Sequence, residues 1–175
     1  MRDDSETNKT VDEQLNEPGP HTPRPGRSVI KLYTIGFTGK SAAKFFGLLK
    51  KFSVKKLVDT RVNNASQLSG FAKGTDLGFF TKEILGIPYE HQLLFAPTKE
   101  LLKKYRGKLI SWDEYKVEYL NLLDSRKVRK GLDLDALHEN CFLCSERTPH
   151  KCHRRLLAEY LQKAGTNVEI VHLIE

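Results

Sequence analysis

The chain has 175 residues and a formal charge of +7, with 29 Lys and Arg against 22 Asp and Glu. That length suits one compact domain with a tail and excludes two full-sized domains. No apolar stretch approaches the ~18 residues of a membrane span, and MRDDSETNKTVDEQLNE lacks the apolar core of a secretory signal, so a cytoplasmic protein without membrane contact is expected.

Residues 1–27 contain Pro18, Pro20, Pro23 and Pro25, with Val11 and Leu15 as their sizeable aliphatics. Such a segment buries too little apolar surface to offset its ordering entropy, so a disordered tail precedes a domain over 28–175. The tail holds four basic and six acidic residues, which leaves the domain at +9. VIKLYTI (29–35) reads as a strand, and the Phe45, Leu48, Leu49 and Phe52 face predicts a helix over 41–52. KLVDT (56–60) reads as a buried strand ending in an acid, followed by a polar loop (62–74) and a helix over 75–85 closed by Gly86. A strand is expected at 89–93, then helices at 98–105 and 111–123, the latter with Ser111 as N-cap and Glu114 three residues on. Residues 134–138 look helical, 141–144 form a strand, 152–164 a helix, and 168–173 the last strand. Strand and helix alternate about five times. The fold class expected is therefore α/β, a mostly parallel sheet with helices on both faces, because parallel neighbours need crossovers.

The polar residues that stand out share one edge of such a sheet. Thr38 and Lys40 follow the first strand, Asp59 and Arg61 end the second, and Glu146 and Arg147 follow the fourth. Cys152, His153 and Arg154 open the next helix. Strand carboxyl ends line the ligand crevice of open parallel sheets, and helix N-termini there suit an anion.

The densest constellation is CFLCSERTPHKCHRR, 141–155. Zinc held by Cys141, Cys144, Cys152 and His153 has the right ligand types. However, Phe142 and Leu143 read as strand interior, which would send Cys141 and Cys144 to opposite faces. Alternatively Cys152 is a reactive thiol, favoured as thiolate by a helix N-terminus and by Lys151, His153 and Arg154. The spacing Cys141-x5-Arg147 is similar to the anion loop of rhodaneses and tyrosine phosphatases, without the glycines that let N–H groups converge. Packing is the plainer role for Cys141 and Cys144. No cofactor is expected from these considerations, with zinc as the competing reading.

Asp59 and Arg61 can equally cap a loop or sit on the surface, and Glu146 can pair with Arg154 or Arg155. Acids and bases converging from separate strand ends nevertheless suit proton transfer beside an anion, with His153 as the group titrating near neutrality. The other histidines (His21, His91, His138, His150 and His172) read as surface or packing residues. Basic runs at Lys99–Lys108 and Arg126–Lys130 suit phosphate, and Tyr105, Trp112, Tyr115 and Tyr119 beside the first suit base stacking, although Trp112, Tyr115 and Tyr119 recur at helical spacing and read rather as a core stripe.

VDTR after a strand, a TIG turn, LGIPYEH, SWDEY and CFLCSERTPHKCHRRLLAEYL together resemble the domain-of-unknown-function family number 488, from about Lys31 to Leu173. The resemblance implies an α/β domain whose characteristic positions match Gly36, Asp59, Arg61, Cys144, Glu146, Cys152, His153 and Arg154. It implies no reaction. After Arg61, where members commonly show Pro and then Ser-Arg, this chain has VNNASQLSGF, with Ser66 and Gln67 at the corresponding places.

The sequence thus points to a basic crevice binding a phosphate-bearing ligand, nucleic acid or nucleotide, with hydrolysis or transfer as the chemistry. Asp59, Glu146, Cys152 and His153 are the expected catalytic groups, and Gly36, Arg61, Cys144 and Arg154 the expected ligand contacts. The alternatives are a non-catalytic nucleic-acid or protein adaptor, and zinc or thiol chemistry at the cysteines.

Overall fold

A computed structural model describes residues 29–65 and 70–174. The expected tail, and Ser66 and Gln67 in the loop after Arg61, lie outside the described residues. β1 (Ile30–Gly36), β2 (Lys56–Asp59), β3 (Tyr89–His91), β4 (Asn140–Cys144) and β5 (Val168–Leu173) form one all-parallel sheet in the order β3-β2-β4-β1-β5.

Alternation along the buried strands divides the core in two. Tyr33, Ile35, Leu57, Cys141 and Leu143 face α1 (Ala42–Lys51) and α2 (Gly74–Phe80). Leu32, Val58 and Phe142 face the other side, where α3 (Lys99–Arg106), α4 (Trp112–Ser125) and α5 (His153–Gln162) pack. Right-handed crossovers explain the split. The chain runs one way along the sheet from β1 to β3 and the opposite way from β3 to β4 and from β4 to β5. Neighbouring β2 and β4 therefore send their following segments in opposite directions, and a crevice opens between their carboxyl ends.

The elements depart from sequence expectation in small, local ways. The helix expected over 75–85 is α-helical only to Phe80 and continues as a π-turn, Thr81–Leu85; the Thr81 hydroxyl donates to the Leu77 carbonyl at 2.7 Å, a bond that competes with the helical ladder. β3 stops at His91, after which Gln92 caps a 3-10 turn. The segment at 134–138 is a single 3-10 turn, Asp135–Leu137. Cys152 is the extended N-cap residue of α5 rather than part of the helix. Ser111 and Glu114 form the expected capping box on α4. Tyr115 and Tyr119 are the expected core residues, whereas Trp112 packs on that core while remaining half-exposed. Part of the second basic run is tied down: Arg126 donates to the Leu94 and Ala96 carbonyls, and Arg129 lies 3.6 Å over the Tyr160 ring.

Candidate functional site

A cleft of about 810 Å³ occupies the crevice between β2 and β4. Four parts of the chain build it, beginning with Arg61, Val62 and Asn63 after β2. Cys144, Ser145 and Glu146 leave β4; Lys151, Cys152 and His153 lead into α5; and Lys99, Leu102, Lys103, Tyr105, Arg106 and Trp112 come from α3 and the start of α4. Lys99, Lys103, Arg106 and Lys151 are exposed at its rim, where Glu146 is the acidic lining residue. The wall is a run of rings: Trp112 stacks on Tyr115 at 5.3 Å, Tyr115 on Tyr119 at 6.2 Å, and Tyr119 meets the His153 ring edge-on at 5.8 Å.

At the floor, His153, Cys144 and Cys152 are all buried. The His153 Nε2 lies 3.0 Å from the Thr60 carbonyl oxygen, which can only accept, so Nε2 carries the hydrogen. Nδ1 is thereby turned to the Cys144 Sγ at 3.6 Å. Both sulfurs receive backbone N–H groups two residues on, Cys144 from Glu146 and Cys152 from Arg154. The Arg154 Nη1 adds a bond to the Cys152 Sγ at 3.2 Å. The hydrogen bond from Cys152 and then the neighbouring His153 hold the Cys144 thiol well below its ordinary range, against the opposing effect of burial. Burial and the adjacent Cys144 sulfur push Cys152 up. Burial alone would lower His153, but the Cys144 sulfur outweighs it and the imidazole is raised. The Cys144 sulfur and the His153 ring thus face each other at 3.6 Å, with Cys152 as a donor to Cys144.

The sequence-predicted residues separate into two groups. Cys144, Cys152, His153, Glu146 and Arg61 line the cleft. Arg154 lies behind that floor, its Nη1 bonded to the Glu146 carbonyl at 2.7 Å and its Nε without a partner. Gly36 ends β1 against the same carbonyl and guanidinium, and a Cβ there would collide with both. Asp59 and Arg61 form a buried bidentate pair, Nε–Oδ1 2.8 Å and Nη2–Oδ2 2.6 Å. The Asp59 carboxylate also accepts from the Arg61 N–H and from the Tyr89 hydroxyl, and the Arg61 Nη1 donates to the Ala72 carbonyl. Burial and then that bond to Asp59 raise the Tyr89 hydroxyl. Cys141 faces the α1 side of the sheet, where burial raises its thiol. Thr38 and Lys40 are not in the cleft lining.

The model of the Domain of unknown function DUF488 matches residues 41–161. This chain belongs to the DUF488 family. The match spans β2, β4 and the start of α5, so the cleft floor lies inside the DUF488 domain. Neither the curated proteins nor the solved structures gave a match. No helix among the described residues is long and apolar enough to cross a membrane.

Tyr105, Trp112 and Thr60 are site residues outside the expected catalytic and ligand-contact sets, the two aromatics reading from sequence as packing rather than stacking residues. Aromatic spacing in α4 was a real signal, but periodicity alone does not show that the first ring of a core stripe overhangs a cleft. The Thr60 contribution is a backbone carbonyl, for which no side-chain pattern exists.

Proposed function

We propose that the cleft binds a phosphate-bearing nucleotide, free or at the end of a strand, and that hydrolysis or group transfer takes place over its floor. The observation carrying this reading is one cavity that combines a half-exposed indole, four exposed cations at the rim and reactive groups beneath them. Its volume falls in the ~300–1,000 Å³ range of small-molecule sites. A base stacks on Trp112, and Lys99, Lys103, Arg106 and Lys151 hold phosphate. Glu146 is the carboxylate available to exchange a proton with the ligand, and the floor cluster supplies the reacting groups. Asp59 serves to hold Arg61 and through it the loop that carries Val62 and Asn63 to the cleft.

Trp112 is the sole tryptophan of the chain, so its fluorescence reports the site directly. Titrating nucleoside mono-, di- and triphosphates should quench it saturably. The Arg106→Glu and Lys103→Glu variants should each weaken binding by about fivefold, the ~1 kcal/mol scale of an exposed charge contact. Absence of quenching by any nucleotide, or unchanged affinity in both variants, would overturn the reading.

A further inference from the structure

We propose that Cys144, Cys152 and His153 form a three-ligand zinc site whose fourth position opens into the cleft. The Sγ and ring nitrogen atoms of the three residues all lie within 4.8 Å of one another. A tetrahedral zinc ion bound at ~2.3 Å to sulfur and ~2.0–2.1 Å to nitrogen requires a sulfur-to-nitrogen edge of about 3.5 Å. The Cys144 Sγ and His153 Nδ1 stand 3.6 Å apart, so the ligand edge is already at coordination length.

The surroundings are built for the same purpose. A metal-bound imidazole keeps its orientation by donating its other N–H to a fixed acceptor. His153 does this through Nε2 to the Thr60 carbonyl, which aims Nδ1 at the two sulfurs. Each sulfur accepts a backbone N–H two residues along, and the Cys152 Sγ also accepts from Arg154. These donors stabilise sulfur in its anionic form. Metal binding releases the protons the two thiols hold, and a donor set of two thiolates with one imidazole selects zinc among the common ions. Cys141, the fourth ligand of the sequence-level zinc reading, is on the opposite face of the sheet. Three protein ligands that all line one cleft leave the remaining position to solvent or substrate, the arrangement of a catalytic rather than a structural zinc. A zinc ion there would polarise a phosphoryl oxygen or activate a water beside it.

The test uses the full chain purified without chelator or added metal. Elemental analysis should find stoichiometric zinc. After chelation, Co²⁺ should restore binding with thiolate-to-cobalt charge-transfer absorption and the intense ligand-field bands of a four-coordinate ion. Added imidazole should shift those bands by taking the open position. Cys141→Ala should retain the metal, whereas Cys152→Ser and His153→Ala should lose it. Since the wild-type spectra need no variant, a variant that misfolds leaves the test intact. Metal-free protein giving no charge-transfer band with Co²⁺ would overturn the proposal, as would a Cys144–Cys152 disulfide in metal-free protein or unchanged metal content in Cys152→Ser. Bands indifferent to imidazole would overturn the open position. Nucleotide affinity is read separately through Trp112: zinc-loaded protein that ignores nucleotides refutes the ligand reading alone, and protein that binds nucleotides but takes up neither zinc nor Co²⁺ refutes the zinc alone.

Discussion

Asp59 shows how a residue that looks catalytic from its position can be consumed by structure. Its carboxylate takes two bonds from the Arg61 guanidinium, one from the Arg61 backbone and one from Tyr89, all in the protein interior. Removing one partner of a buried ion pair leaves the other charge uncompensated, at a cost of ~3–5 kcal/mol. Asp59→Ala should therefore lower unfolding stability by about that much, and Tyr89→Phe, which removes one hydrogen bond, by about 1 kcal/mol. Urea denaturation measures both. An Asp59→Ala protein of wild-type stability would show that the pair is not what anchors the loop. The sequence placed Asp59 and Arg61 at a strand end, and correctly. It could not reveal their mutual pairing, because Tyr89 and the Ala72 carbonyl arrive from distant parts of the chain. Cys141 and Cys144 were easier, since a three-residue offset in a strand puts two side chains on opposite faces whatever surrounds them.

At the level of elements, the long periodic helices and the β-branched strands were legible, and the differences lie at ends where one side chain redirects the backbone, as Thr81 and Gln92 do. Strand order was not legible, because nothing local states that β4 inserts between β1 and β2. The β1–β5 edge carries a side-chain link as well as its ladder: Thr34 Oγ1 lies 2.8 Å from the His172 Nδ1, between residues paired in register. Burial chiefly, and then Arg154, lower the His172 pKa, with Arg155 acting the same way and Glu159 opposing. A histidine depressed in the folded state binds fewer protons than in the unfolded chain. Its contribution to stability is full above the ordinary value of ~6.5 and is lost as pH falls through the lowered folded value. The wild-type denaturation midpoint should thus drop more between about pH 7.5 and 5.5 than that of His172→Gln, which does not titrate. Parallel pH profiles for the two proteins would refute this assignment.

On the scale of the whole molecule, a chain of charge +7 attracts any polyanion, so binding as such says little about the cleft. Salt dependence is more informative because it counts neutralised phosphates. If a single strand enters the cleft and its phosphates meet Lys99, Lys103, Arg106 and Lys151, log K against log salt should have a slope of about −3. Removing two of those charges, as in Lys103→Ala with Arg106→Ala, should make the slope shallower by about 1.4. A strand held on surface charge remote from the cleft would give the same slope in both proteins and leave Trp112 fluorescence unquenched. The quench and the slope thus test the same four cations by independent routes, one through the ring they surround and one through the ions they displace. A slope that changes in the double variant while the quench persists would place the base on Trp112 and the strand's phosphates at the rim of the same cleft.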